Sequence, residues 1–387
     1  MSVNRREFRE PHHFAIAVAS ETASPLLRMY ARRRARGAPS PAPSWRTGLI
    51  LGAGHIGDVL YRTCSLDLLV KGLPDCRWSY LTTSAGAATL KGNPALPDIL
   101  AWQDDDNGVS HDGLAALRDH AYDVALCTDY VAHQKMLLLA VKLGIPNRVA
   151  FVRKGLSGLA TIGMQVSRGA THPQAMREMF ELITDVPDST ALRPKIFPAP
   201  ADAHAADAEW TRLGLKSGDG VIACAVTRNQ SAGQHPPDVF IEIVRRILAI
   251  APELRVVFTG VSGDREVLAA AGRAIDPRVL VSAGNLSILA FGSFLANCAA
   301  FLGTDSGARH LANAAAIPVF FIRNMAVAAA ETGVYCATER DIAPAGEYLS
   351  PAAIVVALKK IDVERVANSL VAAARSQAPG THSNKTR

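Results

Sequence analysis

Short, continuous apolar runs alternate with amphipathic segments along most of the chain. Gly48–Leu51 is the first such run, and the spacing of apolar residues from Val59 to Leu73 predicts a helix after it. Runs without polar interruptions are typical of strands that are buried on both faces of a parallel sheet. Repetition of this strand–helix unit therefore predicts an α/β protein.

The strand–helix units fall into two series, which the proline-rich segment Arg193–Pro200 separates. The first series predicts strands at Gly48–Leu51, Trp78–Leu81, Asp98–Trp102 and Val124–Cys127, and helices at Val59–Leu73, His111–His120, Gln134–Leu143 and within residues 168–190. The second predicts strands at Val221–Val226, Arg255–Thr259, Val279–Ser282, Ala299–Leu302 and Val319–Ile322, and helices at Pro237–Ile250, Asp264–Ile275, Ser287–Asn297, Leu311–Ala316 and Pro351–Leu358. We therefore expect two Rossmann-like domains whose parallel sheets face a cleft, because such folds bind ligands beyond the carboxyl ends of their strands.

The proline-rich segments also predict the domain boundaries. Residues 1–45 are expected to be a basic N-terminal extension that ends in a proline-rich linker, and residues 46–192 the first domain. Residues 200–345 are expected to be the second domain. Residues 346–387 are expected to supply C-terminal helices and a disordered tail.

Composition narrows the class of function. The 387 residues are 49% hydrophobic with a net charge of +6, and five arginines lie between Arg28 and Arg36. Nothing else resembles a basic face with interleaved aromatic residues, so we expect no nucleic-acid binding. The six cysteines form no CxxC pair and no metal-ligand spacing. This pattern indicates reduced core thiols in a cytoplasmic protein.

The segment before these arginines bears on membrane contact. No apolar run approaches the roughly 20 residues that cross a bilayer. Leu26, Leu27, Met29 and Tyr30 nevertheless precede Arg32-Arg33-Arg34-Ala35-Arg36. This order is compatible with a short interfacial helix on an anionic membrane, at the inner face of the cytoplasmic membrane. A solvated basic arm is the alternative interpretation.

A glycine-rich turn, Gly52-x-Gly54-x-x-Gly57, follows the first strand and precedes a helix. It matches the dinucleotide-binding fingerprint, which also requires an acidic residue at the end of the second strand. That strand ends in Tyr80-Leu81-Thr82-Thr83-Ser84, without a carboxylate. The turn still delivers one carboxylate, Asp58, to the carboxyl edge of the sheet. The alternative is that Asp58 only caps the helix.

A second turn, Gly303-Thr304-Asp305-Ser306-Gly307, follows a strand-like run and leads into a helix. Asp305 is expected to be the N-cap, accepting from the amide of Gly307 or Ala308. The free amides of the first turn and the positive end of the helix dipole favour an anion there, and Arg309 and His310 add donors. The alternative is an ordinary capped helix after a strand.

Together the two turns resemble glycosyltransferase family 9, the lipopolysaccharide heptosyltransferases. Gly57-Asp58-Val59-Leu60…Leu73-Pro74 resembles the opening motif of that family, and Asp305-Ser306-Gly307-x-x-His310-Leu311-Ala312 its signature in the second domain. Asn285-Leu286-Ser287 resembles the segment before the signature, and Asn93-Pro94 and Pro97–Leu100 fit the N-terminal half. The resemblance covers roughly residues 48–360.

This resemblance implies a GT-B fold, with the acceptor bound by the first domain and the nucleotide-sugar donor by the second. It implies an inverting, metal-independent transfer, usually of heptose from ADP-heptose to a lipopolysaccharide or other cell-envelope glycan. Asp58 matches the catalytic base. Residues that match the donor-diphosphate site are Thr227, Arg228, Asp305, Ser306, Gly307 and His310. Further candidates are Gly57, His55 beside the acceptor, Asp264 near the donor ribose (or a surface N-cap), and Arg309.

The sequence departs from the family in the donor-binding half. The family usually carries a Lys-x-Trp-Pro element, whereas this chain has Gly233-Gln234-His235-Pro236. Arg228 or Arg309 could replace the missing positive charge, although a guanidinium is not equivalent to an ammonium. Arg323-Asn324-Met325 stands where a Gly-Pro-Thr-like turn is usual. The nucleotide and sugar therefore stay open.

We expect no metal site and no cofactor. The only acidic cluster beside these motifs, Asp104-Asp105-Asp106, has the composition of a solvated loop. The leading hypothesis is a glycosyltransferase. The alternatives are a catalytically impaired nucleotide-sugar-binding protein and a dinucleotide-dependent oxidoreductase, and the missing carboxylate after the second strand disfavours the latter.

Overall fold

The computed structural model describes residues 11–52, 54–102, 115, 117–129, 133–152, 155–167, 169–226 and 237–377. The chain divides between Thr190 and Ala191 into two compact units, each with its own core. Each unit is built around one parallel six-stranded sheet with helices connecting the strands. The prediction of an α/β protein with two parallel sheets is confirmed.

The sheet of the first unit has the strand order β3-β2-β1-β4-β5-β6. Its strands are β1 (Thr47–Leu51), β2 (Arg77–Thr82), β3 (Asp98–Ala101), β4 (Val124–Cys127), β5 (Asn147–Phe151) and β6 (Ile162–Met164). The central strand β1 pairs with β2 on one side and β4 on the other. The chain therefore leaves β1 and β4 in opposite directions, which creates a switch point at their carboxyl ends.

The helices of this unit are α1 (Pro11–Thr22), α2 (Ser24–Arg34), α3 (Ile56–Arg62), α4 (Leu66–Gly72), α5 (Ser84–Leu90), α6 (His133–Lys142) and α7 (His172–Thr184). The single helix predicted from Val59 to Leu73 is wrong, because the chain forms α3 and α4 there instead. The break lies at Thr63, whose hydroxyl donates to the carbonyl of Leu60 at 2.6 Å and competes with the helical ladder. The helix predicted at His111–His120 falls largely outside the described residues.

The N-terminal helices α1 and α2 pack on the first unit through a 3₁₀ turn at Ser157–Leu159. The hydroxyl of Ser20 accepts from the amide of Leu156 at 3.0 Å, and Glu21 Oε1 accepts from the amide of Ser157 at 3.0 Å. Ala31 on α2 is buried in the same core as Leu137 and Leu159. These contacts attach α1 and α2 to the first unit.

The sheet of the second unit has the order β12-β11-β10-β7-β8-β9. Its strands are β7 (Val221–Ala225), β8 (Arg255–Gly260), β9 (Val279–Ala283), β10 (Ala300–Thr304), β11 (Val319–Ile322) and β12 (Glu339–Asp341). The switch point lies between β7 and β10, which pair in parallel. Three strands, β5, β6 and β12, were not predicted, because β6 and β12 have only three residues each and β5 begins with the polar pair Asn147-Arg148.

The helices of the second unit are α8 (Pro200–Arg212), α9 (Pro237–Ile250), α10 (Arg265–Ile275), α11 (Ile288–Ala296), α12 (Gly307–Ala314), α13 (Ala329–Thr332), α14 (Pro351–Leu358) and α15 (Val363–Gln377). In α9, Phe240, Ile243, Val244 and Ile247 are fully buried at helical spacing. Each such side chain contributes roughly 1.5–3 kcal/mol by leaving water. Among the described residues, no helix combines the length and apolarity that a membrane span requires.

Candidate functional site

The carboxyl edge of the first sheet presents Asp58, which lies in the first turn of α3 after the glycine-rich turn. Gly54 has φ of +120°, and a Cβ atom there would lie 2.6 Å from Oδ2 of Asp58. A Cβ at Gly52 would lie 2.2 Å from the hydroxyl of Tyr80. These glycines are therefore needed for the close approach of the turn to Asp58 and to β2.

The carboxylate of Asp58 is held by its own turn. Its Oδ2 accepts from the backbone amide of His55 at 2.7 Å, as in a capping box. Asp58 is partly exposed, His55 is the exposed N-cap residue, and Gly57 is buried inside α3. The carboxylate does cap α3, and the same bond orients it at the strand end.

Two charged residues that sequence analysis missed lie in the core beside Asp58. The side chain of Arg62, four residues further along α3, is fully buried. Its Nε donates to the carbonyl of Thr128 at 3.2 Å and its Nη1 to the hydroxyl of Tyr80 at 3.4 Å. Asp129, just after β4, is also buried. An arginine on the core side of a short helix is the sequence signal that could have identified this cluster.

These surroundings change the acidity of Asp58. Burial raises its pKa above the ordinary value of 3.8, and the charge of Asp129 acts in the same direction. The charge of Arg62 and the hydrogen bond from His55 oppose burial without cancelling it. A carboxylate with a raised pKa is a stronger base, as general-base catalysis requires.

The second turn lies at the carboxyl end of β10, beside the switch point of the second sheet. Ser306 is the N-cap residue of α12, and Gly307 is its first residue. The expectation that Asp305 caps this helix through its side chain is wrong, since no side-chain cap bond is present. Oδ1 of Asp305 instead accepts from Nη1 of Arg309 at 2.9 Å. This charge-assisted bond directs the carboxylate to Arg309 instead of to the amides of the first turn.

Arg309 is turned inward, with a side chain that is 1% exposed. Its Nε donates to Oε1 of Glu339 at 2.5 Å, and its Nη2 to the carbonyl of Gly333 at 2.7 Å. The guanidinium carbon lies 3.5 Å from the ring centroid of Phe321. Burial lowers the pKa of Arg309, but the carboxylates of Glu339 and Asp305 outweigh it, so the group stays charged.

His310 is the next residue of α12, and its ring is held by Tyr335. Nδ1 of His310 lies 2.6 Å from the hydroxyl of Tyr335, and the two rings are stacked with centroids 5.6 Å apart. Nε2 of His310 lies 4.0 Å from Oδ1 of Asp305. Tyr335, Glu339 and Asn313 were missed by sequence analysis, since no motif marks the loop before β12 or β12 itself, and Asn313 is an unspecified position between motif residues of α12.

Asp264 and Arg323 lie away from the two turns along the chain, and other predicted residues are not described. Oδ2 of Asp264 accepts from the amide of Val261 at 3.1 Å within a 3₁₀ turn that precedes α10. Arg323, just after β11, is buried; its Nη1 donates to Asp341 at 2.6 Å and its Nη2 to the carbonyls of Pro344 and Gly346. Several sequence-predicted positions lie outside the described residues: Thr227, Arg228, Gly233–Pro236 and Asp104–Asp106.

Within the part of the chain that the structure describes, no three or more His, Cys, Asp or Glu side chains are grouped so that they could hold a metal ion. All six cysteines are buried, and none of them forms a disulfide bond. After β2 the described chain continues with Thr83, which caps α5 by accepting from the amide of Gly86 at 3.1 Å. No carboxylate stands at that strand end for a dinucleotide ribose.

Comparison with known sequences places the chain in a family. Residues 114–322 match the model of glycosyltransferase family 9 (heptosyltransferase), which is more than half of the chain. The matched region includes α12 and ends with β11. A comparison with curated protein sequences found no match.

Solved structures share the fold at low sequence identity. A family 9 glycosyltransferase from Veillonella parvula DSM 2008 has a TM-score of 0.68 and 16% identity, covering 88% of this chain and 99% of that chain. The ADP-heptose LPS heptosyltransferase II of E. coli has a TM-score of 0.67 and 17% identity, covering 86% and 99%. The E. coli heptosyltransferase WaaC with ADP has a TM-score of 0.63 and 14% identity, covering 84% and 99%. These similarities confirm the GT-B fold.

Proposed function

The chain belongs to glycosyltransferase family 9, and we propose that it transfers heptose from ADP-heptose to a lipopolysaccharide or other cell-envelope glycan, with inversion and without a metal ion. One observation carries the proposal: a carboxylate with a raised pKa, Asp58, is oriented at the carboxyl edge of a Rossmann-like sheet. The donor is proposed because the similar E. coli structures are described with ADP-heptose or ADP.

In the proposed reaction Asp58 is the general base. Its carboxylate accepts the proton of an acceptor hydroxyl while that oxygen attacks the anomeric carbon of the donor sugar. The bond from the anomeric carbon to the diphosphate oxygen breaks as the new glycosidic bond forms. A single displacement of this kind inverts the configuration at the anomeric carbon.

The departing diphosphate needs stabilisation, and we assign this role to the start of α12. The free amides at Ser306 and Gly307 and the positive end of the helix dipole favour an anion. His310 adds a ring nitrogen at the same end. Thr227 and Arg228 are proposed as further phosphate contacts by the family resemblance, and Asp264 as a ribose contact. Arg309 is assigned to positioning Asp305, because its donors are used inside the protein.

Metal independence is part of the proposal and has its own test. Helix amides and cationic side chains can stabilise a leaving diphosphate in place of Mg²⁺. Transfer should therefore persist in excess EDTA. Complete loss of transfer that Mg²⁺ or Mn²⁺ restores would contradict this part of the mechanism.

The proposed cellular site is the cytoplasmic face of the inner membrane. In α2, Leu26, Met29 and Tyr30 are exposed, and Ser24 and Ala31 are buried on the opposite side. The arginines at 28, 32, 33, 34 and 36 are exposed as well. Apolar side chains that face solvent among arginines suit the headgroup region of an anionic membrane, where a lipid-linked acceptor would lie.

Replacement of the family lysine supports a second candidate, a nucleotide-sugar-binding protein without turnover. A two-step experiment separates the two. A thermal-shift screen with ADP-, GDP-, UDP- and dTDP-sugars identifies the donor, because a specific ligand raises the melting temperature by mass action. Incubation of that donor with deacylated lipopolysaccharide core then tests transfer. Binding of ADP-heptose with transfer supports the enzyme, binding without transfer supports the binding protein, and stabilisation by another sugar nucleotide alone rejects ADP-heptose.

A further inference from the structure

The hydroxyl of Tyr335 and the imidazole of His310 form a short hydrogen bond of 2.6 Å at Nδ1. Both side chains lie in the second unit, with His310 on α12 and Tyr335 in the loop before β12. The distance alone does not say which atom carries the proton, since a neutral imidazole has one donor and one acceptor nitrogen. The proton position is therefore assigned from the neighbouring hydrogen bonds.

Asn313, one turn after His310, is a donor to the phenol oxygen. Its Nδ2 donates to Oε1 of Glu339 at 2.6 Å, and its Oδ1 accepts from the hydroxyl of Thr338 at 3.0 Å. A carboxylate only accepts, so the amide has one orientation. The same NH₂ group then lies 3.5 Å from the hydroxyl oxygen of Tyr335 and donates to it.

The position of Tyr335 is itself supported by Glu339. Oε2 of Glu339 accepts from the backbone amides of Tyr335 at 3.0 Å and Cys336 at 3.3 Å. Its Oε1 accepts from Arg309 and Asn313. One buried carboxylate therefore connects the loop that carries Tyr335 to the helix that carries His310.

We propose that Tyr335 is a positioning residue that holds His310 as the Nε2–H tautomer. The phenol oxygen accepts from Asn313, and we assign its single hydrogen to the short bond with Nδ1 of His310, which places the imidazole proton on Nε2. Nε2 is thereby a hydrogen-bond donor at the start of α12, where an anion is expected. The identity of that anion, the diphosphate of the donor, rests on the proposed function.

The proton assignment is measured on the protein without ligand. Protein with ¹⁵N-labelled histidine is examined by two-bond ¹H–¹⁵N correlation of the imidazole rings, with His310→Gln to identify the signals. At about pH 8.5, well above the usual histidine pKa of about 6.5, the ring of His310 should be neutral and protonated at Nε2. A proton on Nδ1 in the wild-type protein overturns the proposal, and this holds even if a variant fails to fold.

The variant that tests the cause is Tyr335→Phe, which keeps the ring and removes the hydroxyl. It should shift His310 towards the Nδ1–H form, whereas Tyr348→Phe, at an exposed tyrosine of the same unit, should not. An unchanged tautomer in Tyr335→Phe overturns the assignment.

ADP then serves as the probe for the anion. Its dissociation constant should rise roughly two- to tenfold in Tyr335→Phe, as expected when one hydrogen bond is misdirected. The Nε2–H resonance of the wild-type protein should move when ADP is added, and a stationary resonance with bound ADP contradicts the donor role of Nε2. A protein that binds no ADP contradicts the proposed function instead, while the ligand-free tautomer still decides the assignment of Tyr335.

Discussion

Arg309 and Glu339 form an ion pair inside the second unit, with Nε and Oε1 separated by 2.5 Å and side chains that are 1% and 0% exposed. The pair joins α12 to β12, which is an edge strand of the second sheet. Through Nη1 the same guanidinium holds Asp305 of the signature turn at 2.9 Å. The geometry of the proposed diphosphate site therefore depends on a pair that does not itself face the ligand.

Replacing Arg309 with Met should destabilise the protein by about 3–5 kcal/mol, because it leaves the carboxylate of Glu339 buried without its ion pair. Urea unfolding measures the loss. The matched control is Arg246→Met, which breaks an exposed pair with Glu364 and should change stability little. If Arg309→Met keeps wild-type stability but loses ADP binding, Arg309 contacts the phosphate and its assigned role is wrong.

Replacing Asp58 with Asn should lower the transfer rate by about 10²–10⁴, the usual contribution of a general base. The amide oxygen of Asn can still accept from His55, so the melting temperature and donor affinity should stay near those of the wild type. Asp202→Asn is the control, because Oδ2 of Asp202 accepts a hydrogen bond from the amide of Ala199 at 3.0 Å in the same capping arrangement at α8. Full turnover in Asp58→Asn would mean that Asp58 is only a cap.

The acid limb of the pH profile should report on Asp58. The base must be ionised, so kcat/KM should rise with pH through a pKa above the ordinary 3.8. Arg62→Met should move this limb to higher pH, since the charge of Arg62 lowers the pKa of Asp58, and Arg62→Lys should restore it partly. A limb that stays in place in Arg62→Met would separate Asp58 from the rate-controlling ionisation.

The raised pKa of Asp58 also affects the free energy of unfolding. Its contribution to stability falls as pH rises, whereas kcat/KM rises. The raised pKa means that the folded state holds this proton more tightly than the unfolded state does. The stabilisation is therefore present at low pH and is lost as pH rises from 3.8 through the raised value. In Asp58→Asn this portion of the pH dependence of unfolding should disappear.

Replacing Gly307 with Ala should separate helix stability from ligand binding. Gly307 is the first residue of α12 and has no positive φ, so alanine should keep or raise the melting temperature. The added methyl group should obstruct a diphosphate at the amides, so the ADP affinity should fall by about an order of magnitude or more, which corresponds to about 1.4 kcal/mol. Gly263→Ala is the control, because its Cβ would meet nothing within 4 Å. Unchanged affinity in Gly307→Ala would direct the search for the phosphate to Thr227 and Arg228.

Replacing Arg32, Arg33 and Arg34 with Ser should release the protein from anionic vesicles. Each basic residue near such a surface contributes about 1 kcal/mol, and the loss should be visible by co-sedimentation with vesicles that contain phosphatidylglycerol but not with phosphatidylcholine alone. Serine at Arg340, Lys359 and Lys360 removes the same charge from exposed positions of the second unit and should have no effect. Equal binding of both triple variants would favour a solvated arm for residues 28–36.

Apolar runs, glycine-rich turns and family motifs were enough to predict the two parallel sheets and the family. The central buried strands are largely apolar, because most of their side chains have no access to water, and each turn at a strand end needs residues that permit close approach. Gly54 illustrates the second point, because its positive φ and the 2.6 Å approach to Asp58 exclude other side chains. These requirements act within a few residues of chain, so they can be read from the sequence.

The surroundings of the candidate site were decided by tertiary structure. Strand pairing places Glu339 of β12 opposite Val319 of β11, and β11 beside β10, which brings residues 30 positions apart along the chain into contact. This contact turns Arg309 inward, and the pair with Arg309 removes Asp305 from the cap position that its sequence predicts. Tyr335 reaches His310 by the same kind of packing, and the fold likewise brings Asp129, just after β4, close enough to Asp58 to raise its pKa. The sequence determines which side chains can carry a charge or form a hydrogen bond. Only the pairing of the strands in the folded protein determines which partners offset the free-energy cost of burying those side chains.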